Sequence, residues 1–440
     1  MITKEENKVN LLIILIYLSY LVGFFFNENS IGSGGYESDF VWIWKNFDIF
    51  KNNNLFDAIQ SKEFFGNRSH LLYILNYYFN PFLNEKESYR LSSAVFCLIG
   101  AYLFYLCLKI RFPEIKKNKL FLLSSLILLS PFYRVSAYWG MEIQYGIISL
   151  LISSYFYLKL KKIFKLKNLI LLIVFSSTIV YFDIKLIIIN LIYFFSILFS
   201  NNVNTRYKIL SVILYAIFSL PYVYLIYIWE GLVPIATQSA NPLQGTHFNN
   251  SSSIFNNLHL VNILFSIILI AFYIFPLLIL RKFKPLRVSP LSIIFLSILL
   301  IYLFIFVFYD LYDYVDKLDR LQGGYKNYYG LGFANKISLI FFDSRNLIIL
   351  SNIIMFLFSC IIIIYFFSFN IIECAILFFF LTLSLILFPL MQEYFDPYIF
   401  IIGLIFFKMK LDLNLNKLYF VISYFSAFLV LSNLYYKLLN

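Results

Sequence analysis

Long apolar runs broken by short polar stretches define this chain from end to end. Membrane-length runs predict helical spans at roughly 9–26, 91–108, 120–133, 143–158, 168–182, 184–200, 209–228, 260–280, 289–308, 347–368, 371–390, 398–407 and 418–436. The third, fifth and twelfth are short. The pattern predicts an all-α polytopic membrane protein with about 13 transmembrane helices, with interfacial helices in the long first connection. The first span is followed by Phe24-Phe25-Phe26-Asn27-Glu28, with no small-residue cleavage site, so it reads as a retained helix.

Composition strengthens this picture. Hydrophobic residues make up 61% of the chain and charged residues 13%, far from the balance of a soluble domain. Phe (53) and Tyr (36) are so abundant that an aromatic at any one position argues little beyond lipid-facing packing. Cys97, Cys107, Cys360 and Cys374 lie inside apolar runs. The first two share a helix about 15 Å apart and cannot bridge, so all four read as small core residues.

A net charge of +12 raises the question of nucleic acid, and its distribution argues against it. Basic clusters fall in alternate connections: Lys109 to Lys119, Lys159 to Lys167, Arg206 and Lys208, Arg281 to Arg287, and Lys408 to Lys417. With Lys4 and Lys8 they hold more than half of the 35 basic residues, against only Glu5, Glu6, Glu114 and Asp412. That asymmetry is the positive-inside pattern. It predicts a multi-pass protein of the inner (plasma) membrane, with a cytoplasmic amino terminus and its working surface on the extracytoplasmic face. The outer connections are then 27–90, 134–142, 229–259, 309–346 and 391–397. No internal repeat and no Gly-rich phosphate loop is present.

The candidate chemistry sits in those connections. Gly32-Ser33-Gly34-Gly35-Tyr36-Glu37-Ser38-Asp39-Phe40 carries two carboxylates just beyond the first span. Acids beside a membrane are costly to keep dry. Asp39 also suits the cap of a helix starting near Phe40. That helix, with Trp42 and Trp44, is expected to lie at the interface, as is a second over 71–78 that ends at Pro81. Arg68 and His70 sit between them. Three histidines (His70, His247, His259) show no ligand spacing, so no metal site is expected.

Further along, Ser130 to Gly146 contains Arg134 and Glu142, the latter at a helix start where the dipole favours a carboxylate. Asp183 and Lys185 interrupt an apolar stretch and suggest a tight turn between two short spans. Asp310, Asp313, Asp316 and Asp319 recur every third residue, as on a solvated helix face, and Gly323-Gly324 follows as a possible lid. Gln392-Glu393-Tyr394-Phe395-Asp396-Pro397 forms a polar knot expected at the outer face.

Tyr36 to Phe40, Tyr89-Arg90-Leu91-Ser92-Ser93, Leu129 to Arg134 with Glu142, and Asp183-Ile184-Lys185 together resemble the GT-C superfamily. These are polytopic glycosyltransferases that use lipid-phosphate sugars. The likeness is to the branch of protein mannosyltransferases and aminoarabinose transferases. It covers roughly residues 9–230, and a Ser separates Glu37 from Asp39 where the family often has adjacent acids. The resemblance implies a GT-C-like catalytic module over 1–230, including the loop 27–90, followed by C-terminal helices over 231–440 with outer loops 309–346 and 391–397.

It implies an inverting transfer from a polyprenyl-phosphate sugar donor to a hydroxyl of a glycan or glycolipid acceptor at the bilayer. No cofactor is implied, and metal use differs among such proteins. Asp39 is the expected base, with Glu37 and Glu142 as further catalytic acids. Arg68, Arg134 and Lys185 would face the leaving phosphate. His70, Asp183, Glu393, Tyr394 and Asp396 complete the expected substrate contacts. Two other readings remain open at this point: a polysaccharide polymerase or ligase of the O-antigen type, and a flippase for lipid-linked sugars.

Overall fold

A computed structural model describes residues 4–29, 35–66, 68–231, 234–240, 258–282, 290–309, 331–387 and 390–438. The described residues are helical apart from turns and one isolated bridge, Arg281 with Leu411. They divide into two compact units. Unit 1 holds residues 1–254 and 425–440, and unit 2 holds 255–424.

Unit 1 begins with α1 (Lys4–Phe25). Three short helices follow, α2 (Gly35–Asn52), α3 (Leu55–Gln60) and α4 (Leu71–Phe79). Next come α5 (Lys86–Arg111), α6 (Lys117–Ser125) and α7 (Pro131–Tyr138). The unit continues with α8 (Glu142–Lys162), α9 (Leu166–Phe182), α10 (Ile187–Leu198), α11 (Thr205–Trp229) and α12 (Ile235–Ala240). Unit 2 contains α13 (Val261–Leu280), α14 (Pro290–Tyr309), α15 (Gly332–Phe341), α16 (Arg345–Phe366), α17 (Ile371–Ile386) and α18 (Tyr398–Phe406). The last helix, α19 (Leu415–Leu438), starts in unit 2 and ends in unit 1.

Seven of these helices are long and apolar enough to cross a membrane, or eight counting one bent pair. The chain is therefore a multi-pass membrane protein. The remaining expected spans coincide with shorter apolar helices. The expected third span, 120–133, is broken: helix stops at Leu129 and resumes at Pro131 with a 69° bend. The cause is local. Ser130 Oγ accepts from the Tyr133 amide at 2.9 Å, and Pro131 occupies the first helical turn. A serine cap followed by proline starts a new helix.

The loop acids also sit differently from expectation. The helix expected near Phe40 starts at Gly35, so Glu37 and Asp39 lie in its first turns and do not cap it. Acids in a first turn suit the dipole. Phe40, Ile43, Phe47 and Phe50 form the buried stripe of α2, while Val41, Trp42 and Lys45 face outward. That spacing is the amphipathic pattern.

Unit 2 departs from the expected layout in depth. At one end of α13, Asn262 Nδ2 donates to the carbonyls of Ser384 and Leu387. At the other end, the Lys282 amide donates to Lys410 and the Asp412 amide to Leu280. The polar knot belongs to neither end: Gln392 Nε2 donates to Tyr273 Oη at 2.9 Å. Tyr273 is about 18 Å along α13 from Val261 at 1.5 Å per residue. The expected outer loop 391–397 thus lies roughly halfway along the helix. The expected twelfth span, 398–407, is the nine-residue α18. α15, inside the expected outer loop 309–346, also reaches inward: its first residue, Gly332, lies against Leu269. The acids at 310, 313, 316 and 319 and the Gly323-Gly324 pair lie outside the described residues.

Candidate functional site

The carboxylate of Glu142 is the centre of a buried polar cluster in unit 1. It is the first residue of α8, placed where the helix dipole favours negative charge. Tyr73 Oη donates to one carboxylate oxygen at 2.9 Å, and Arg68 Nη1 lies 3.4 Å from the other. Asn46 Nδ2 donates to Tyr73 Oη at 3.0 Å and to the Phe65 carbonyl at 2.6 Å. The result is a relay from α2 through α4 to α8. Tyr73 and Glu142 are buried, while the Arg68 side chain remains 18% exposed.

Asp183 and Lys185 border the same region. Asp183 caps the turn after α9, accepting from the Lys185 amide, and its carboxylate lies 3.6 Å from Lys185 Nζ. Both are buried among the turn's neighbours at 1% and 11% of side-chain exposure, so this is a tight turn and a shielded pair at once. Gly146, one turn below Glu142, lets Asp183 and Phe182 approach: a Cβ there would sit 3.4 Å from each of their Cβ atoms. Ser69 ties Arg68 to the same place by donating from its amide and hydroxyl to the Tyr181 carbonyl. Arg68, Glu142, Asp183 and Lys185, from three separate stretches of sequence, therefore gather at one end of the unit.

His70 is next to this cluster but differs in character. It packs against Phe64 (3.9 Å), Trp229 (5.7 Å) and Phe50 (5.9 Å). Neither ring nitrogen has a hydrogen-bond partner among the described residues. Burial lowers its pKa to about 3, so the ring is neutral at any ordinary pH.

Arg134 is placed elsewhere, on α7, where it reaches α1 and the residues just after it. Its Nε and Nη2 bind Glu28 Oε2 at 3.1 and 2.7 Å, and Nη2 also reaches the Ser19 carbonyl at 2.6 Å. Nη1 reaches Ser19 Oγ at 3.1 Å and the Leu128 carbonyl at 3.4 Å. Every N–H of the guanidinium has an internal acceptor. Glu28 was not among the residues singled out from the sequence. Its position directly after an apolar span was a signal, since a buried carboxylate there needs a cation. Asn433 of α19 donates to its other oxygen at 3.3 Å. Arg90 is a second such clasp. It lies 3.8 Å over the Trp139 ring and binds Glu87, Asn27 and the Tyr138 carbonyl.

Glu37 and Asp39 are exposed. Asp39 lies seven residues before Asn46, so the two share a flank of α2 about 10 Å apart along the helix. Phe40 beside it packs at 6.2 Å on Tyr89 and 5.9 Å on Trp139. Glu393, Tyr394 and Asp396 belong to unit 2, in the turn beside Tyr273. Among the described residues no group of three or more His, Cys, Asp or Glu side chains is arranged to hold a metal.

No family model matches this chain, and neither curated proteins nor solved structures contain a match.

Proposed function

We propose that the chain is a membrane glycosyltransferase of GT-C type. It would move a sugar from a polyprenyl phosphate to a hydroxyl of a lipid-linked or cell-surface glycan. The observation that carries the reading is the cluster at the head of α8. There a partly exposed Arg68 lies 3.4 Å from a buried carboxylate, and Lys185 stands nearby on the Asp183 turn. Arg134, by contrast, is saturated by internal acceptors. A partly exposed guanidinium can offer N–H groups to a phosphate oxygen, which forms a strong charge-assisted bond.

In this reading the shorter apolar helices also cross the bilayer, giving about thirteen spans, and the positive-inside asymmetry puts the Glu142 end on the extracytoplasmic side. The exposed apolar side chains of α2 and α4, including Trp42, Tyr78 and Phe79, receive the polyprenyl chain at the interface. Asp39, exposed on the flank of α2, takes the proton from the acceptor hydroxyl. The freed oxygen attacks the anomeric carbon, the bond from that carbon to the phosphate oxygen breaks, and polyprenyl phosphate leaves with the electron pair. Configuration inverts because attack and departure are on opposite faces. Arg68 and Lys185 stabilise the developing phosphate charge. Tyr73 and Asn46 hold Glu142 and, through it, Arg68.

Mass spectrometry of surface glycans and lipid-linked intermediates tests the reading, comparing the intact strain with a deletion. Loss of one sugar unit from an otherwise complete glycan is expected. Shortened polymer chains, or unchanged glycans with trapped lipid precursors, would replace it with a polymerase or a flippase.

A further inference from the structure

In unit 1, the helices α8, α9, α10 and α11 are joined by buried hydroxyl pairs, Ser154 with Tyr193 at 2.8 Å and Ser176 with Tyr215 at 2.9 Å. This group of helices is polarised along its length. Its acids sit at one end: Glu142 opens α8, Asp183 caps the end of α9, and Glu230 caps the end of α11. α10 carries no charged residue. The helix ends and connections at the opposite end carry Lys161, Lys162, Lys165, Lys167, Arg206 and Lys208, and no acid. α8 has 21 residues, so about 30 Å separates the two ends. α8 and α11 are both long and apolar enough to cross a membrane, which puts these basic ends at a bilayer surface.

The basic connections form one surface. The Phe164 ring lies 5.0 Å from that of Tyr207, which fastens the α8–α9 turn to the first turn of α11. Tyr157 Oη and Ser196 Oγ, 3.1 Å apart, hold α8 to α10 nearby. Lys161, Lys162, Lys165, Lys167 and Arg206 are exposed, and Lys208 is half-buried. Among the described residues none of the six pairs with a carboxylate. The basic connection between α5 and α6 is different. There Glu5 and Glu6 of α1 lie 2.7 Å from Lys119 and 3.4 Å from Lys116, and Glu114 sits in the same turn. One basic connection is thus neutralised within the protein, and the other is left to an outside anion.

What lies among the cations identifies that anion. Ile163, Leu166 and Phe199 are 66%, 39% and 79% exposed at the same end. Basic side chains interleaved with exposed apolar ones suit a lipid surface, where phosphates meet the first and acyl chains the second. Lys159 and Lys161 fold back along α8, with Nζ 4.3 Å over the Tyr155 ring and 4.6 Å over that of Tyr157. Their charges therefore sit one turn nearer the bilayer than their own backbones, at the depth of headgroups. We infer that this end of unit 1 is a binding surface for anionic phospholipid headgroups. The positive-inside asymmetry concerns orientation, whereas this surface discriminates among lipids. The inference is independent of the glycosyl-transfer reading, and its test has no glycan readout.

The test exchanges the full chain, in detergent, into an equimolar mixture of phosphatidylglycerol and phosphatidylcholine and reads retained lipid by native mass spectrometry. Both lipids carry a phosphodiester, and only the first has net charge. A basic residue beside an anionic surface strengthens binding roughly fivefold, so retention should favour phosphatidylglycerol by at least about tenfold. Lys162→Gln with Lys165→Gln should cut that preference by about fivefold or more. Adding Lys161→Gln and Lys167→Gln should abolish it. All four side chains are exposed, and the two-site variant carries the test if the four-site one does not accumulate. Lys116→Gln with Lys117→Gln, in the α5–α6 connection, should leave the preference within about twofold. Equal retention of both lipids by the unaltered chain would overturn the surface, as would a preference that survives all four substitutions. Binding of a single-stranded RNA oligomer without any headgroup preference would assign the cations to nucleic acid and overturn the lipid.

Discussion

The Glu142 end of unit 1 and the Gln392 turn of unit 2 satisfy buried acids in opposite ways. In unit 1, the buried carboxylates Glu142, Glu28 and Asp183 each have a side-chain cation: Arg68, Arg134 and Lys185 respectively. In unit 2, Glu373 is held by the backbone amides of Ser368 and Lys408, and the knot is tied through an amide and a phenol at Gln392 and Tyr273. Charge paired with charge can be exchanged for a substrate's charge. Carboxylates held by backbone amides fix chain geometry. The contrast separates side-chain ion pairs in unit 1 from a carboxylate held by backbone amides in unit 2.

The sharpest way to break the comparison is inside unit 1 itself, where Arg134 and Arg68 should behave differently. Arg134→Ala strands Glu28 in a buried site and should destabilise the protein by about 3–5 kcal/mol. Thermal unfolding in detergent would read this as a large fall in Tm or as loss of folded protein. Arg68→Ala should destabilise less, because Glu142 keeps its hydrogen bond from Tyr73 and Arg68 is itself 18% exposed, while glycan transfer falls. Equal destabilisation by both would erase the distinction between a structural and an exchangeable cation.

His70 gives a graded test. Its folded pKa of about 3 lies below the ordinary value of 6.5. Below pH 6.5 the unfolded chain binds a proton that the folded chain refuses, so stability falls as pH drops from 6.5 towards 3. The slope approaches about 1.4 kcal/mol per pH unit from this group. The His70→Leu variant should show a flatter acid limb in unfolding measured at pH 7, 6 and 5. A parallel limb would mean that the ring is protonated in the folded state.

The smallest expected effect is that of Tyr73→Phe, which removes one hydrogen bond to Glu142 and one of the two acceptors of Asn46 Nδ2. A loss of about 1–3 kcal/mol, divided between stability and transfer, is expected. Restoring the donor at that position should restore both, and a Tyr73→Phe variant with unchanged unfolding and unchanged transfer would remove Tyr73 from the relay.

Much of this was legible in the sequence, for reasons that differ by residue. Span positions follow from apolar length, so α1, α5, α13 and α16 fall where the runs do. Glu142 was placed at a helix start because the turn Trp139-Gly140-Met141 directly precedes an apolar run. The Asp183 turn was visible as a charge pair interrupting one. Three features were not legible. The break at Ser130 is hidden because Leu126 to Phe132 is apolar on both sides of it. The depth of Gln392 is hidden because a polar turn between two apolar runs looks the same at the surface as inside the protein. The pairing of Glu28 with Arg134 joins residues 106 apart in sequence, and no local pattern couples them.

The measurement closest to the central claim is complementation of a deletion strain with Asp39→Asn, read by mass spectrometry of its glycans and lipid-linked intermediates, with Glu37→Gln alongside. General base catalysis is worth roughly 10²–10⁴-fold. Asp39→Asn should therefore leave the same single sugar missing as the deletion does, with folded protein present in the membrane, while Glu37→Gln restores the complete glycan. Full glycan with Asp39→Asn, and its loss with Glu37→Gln, would contradict the account.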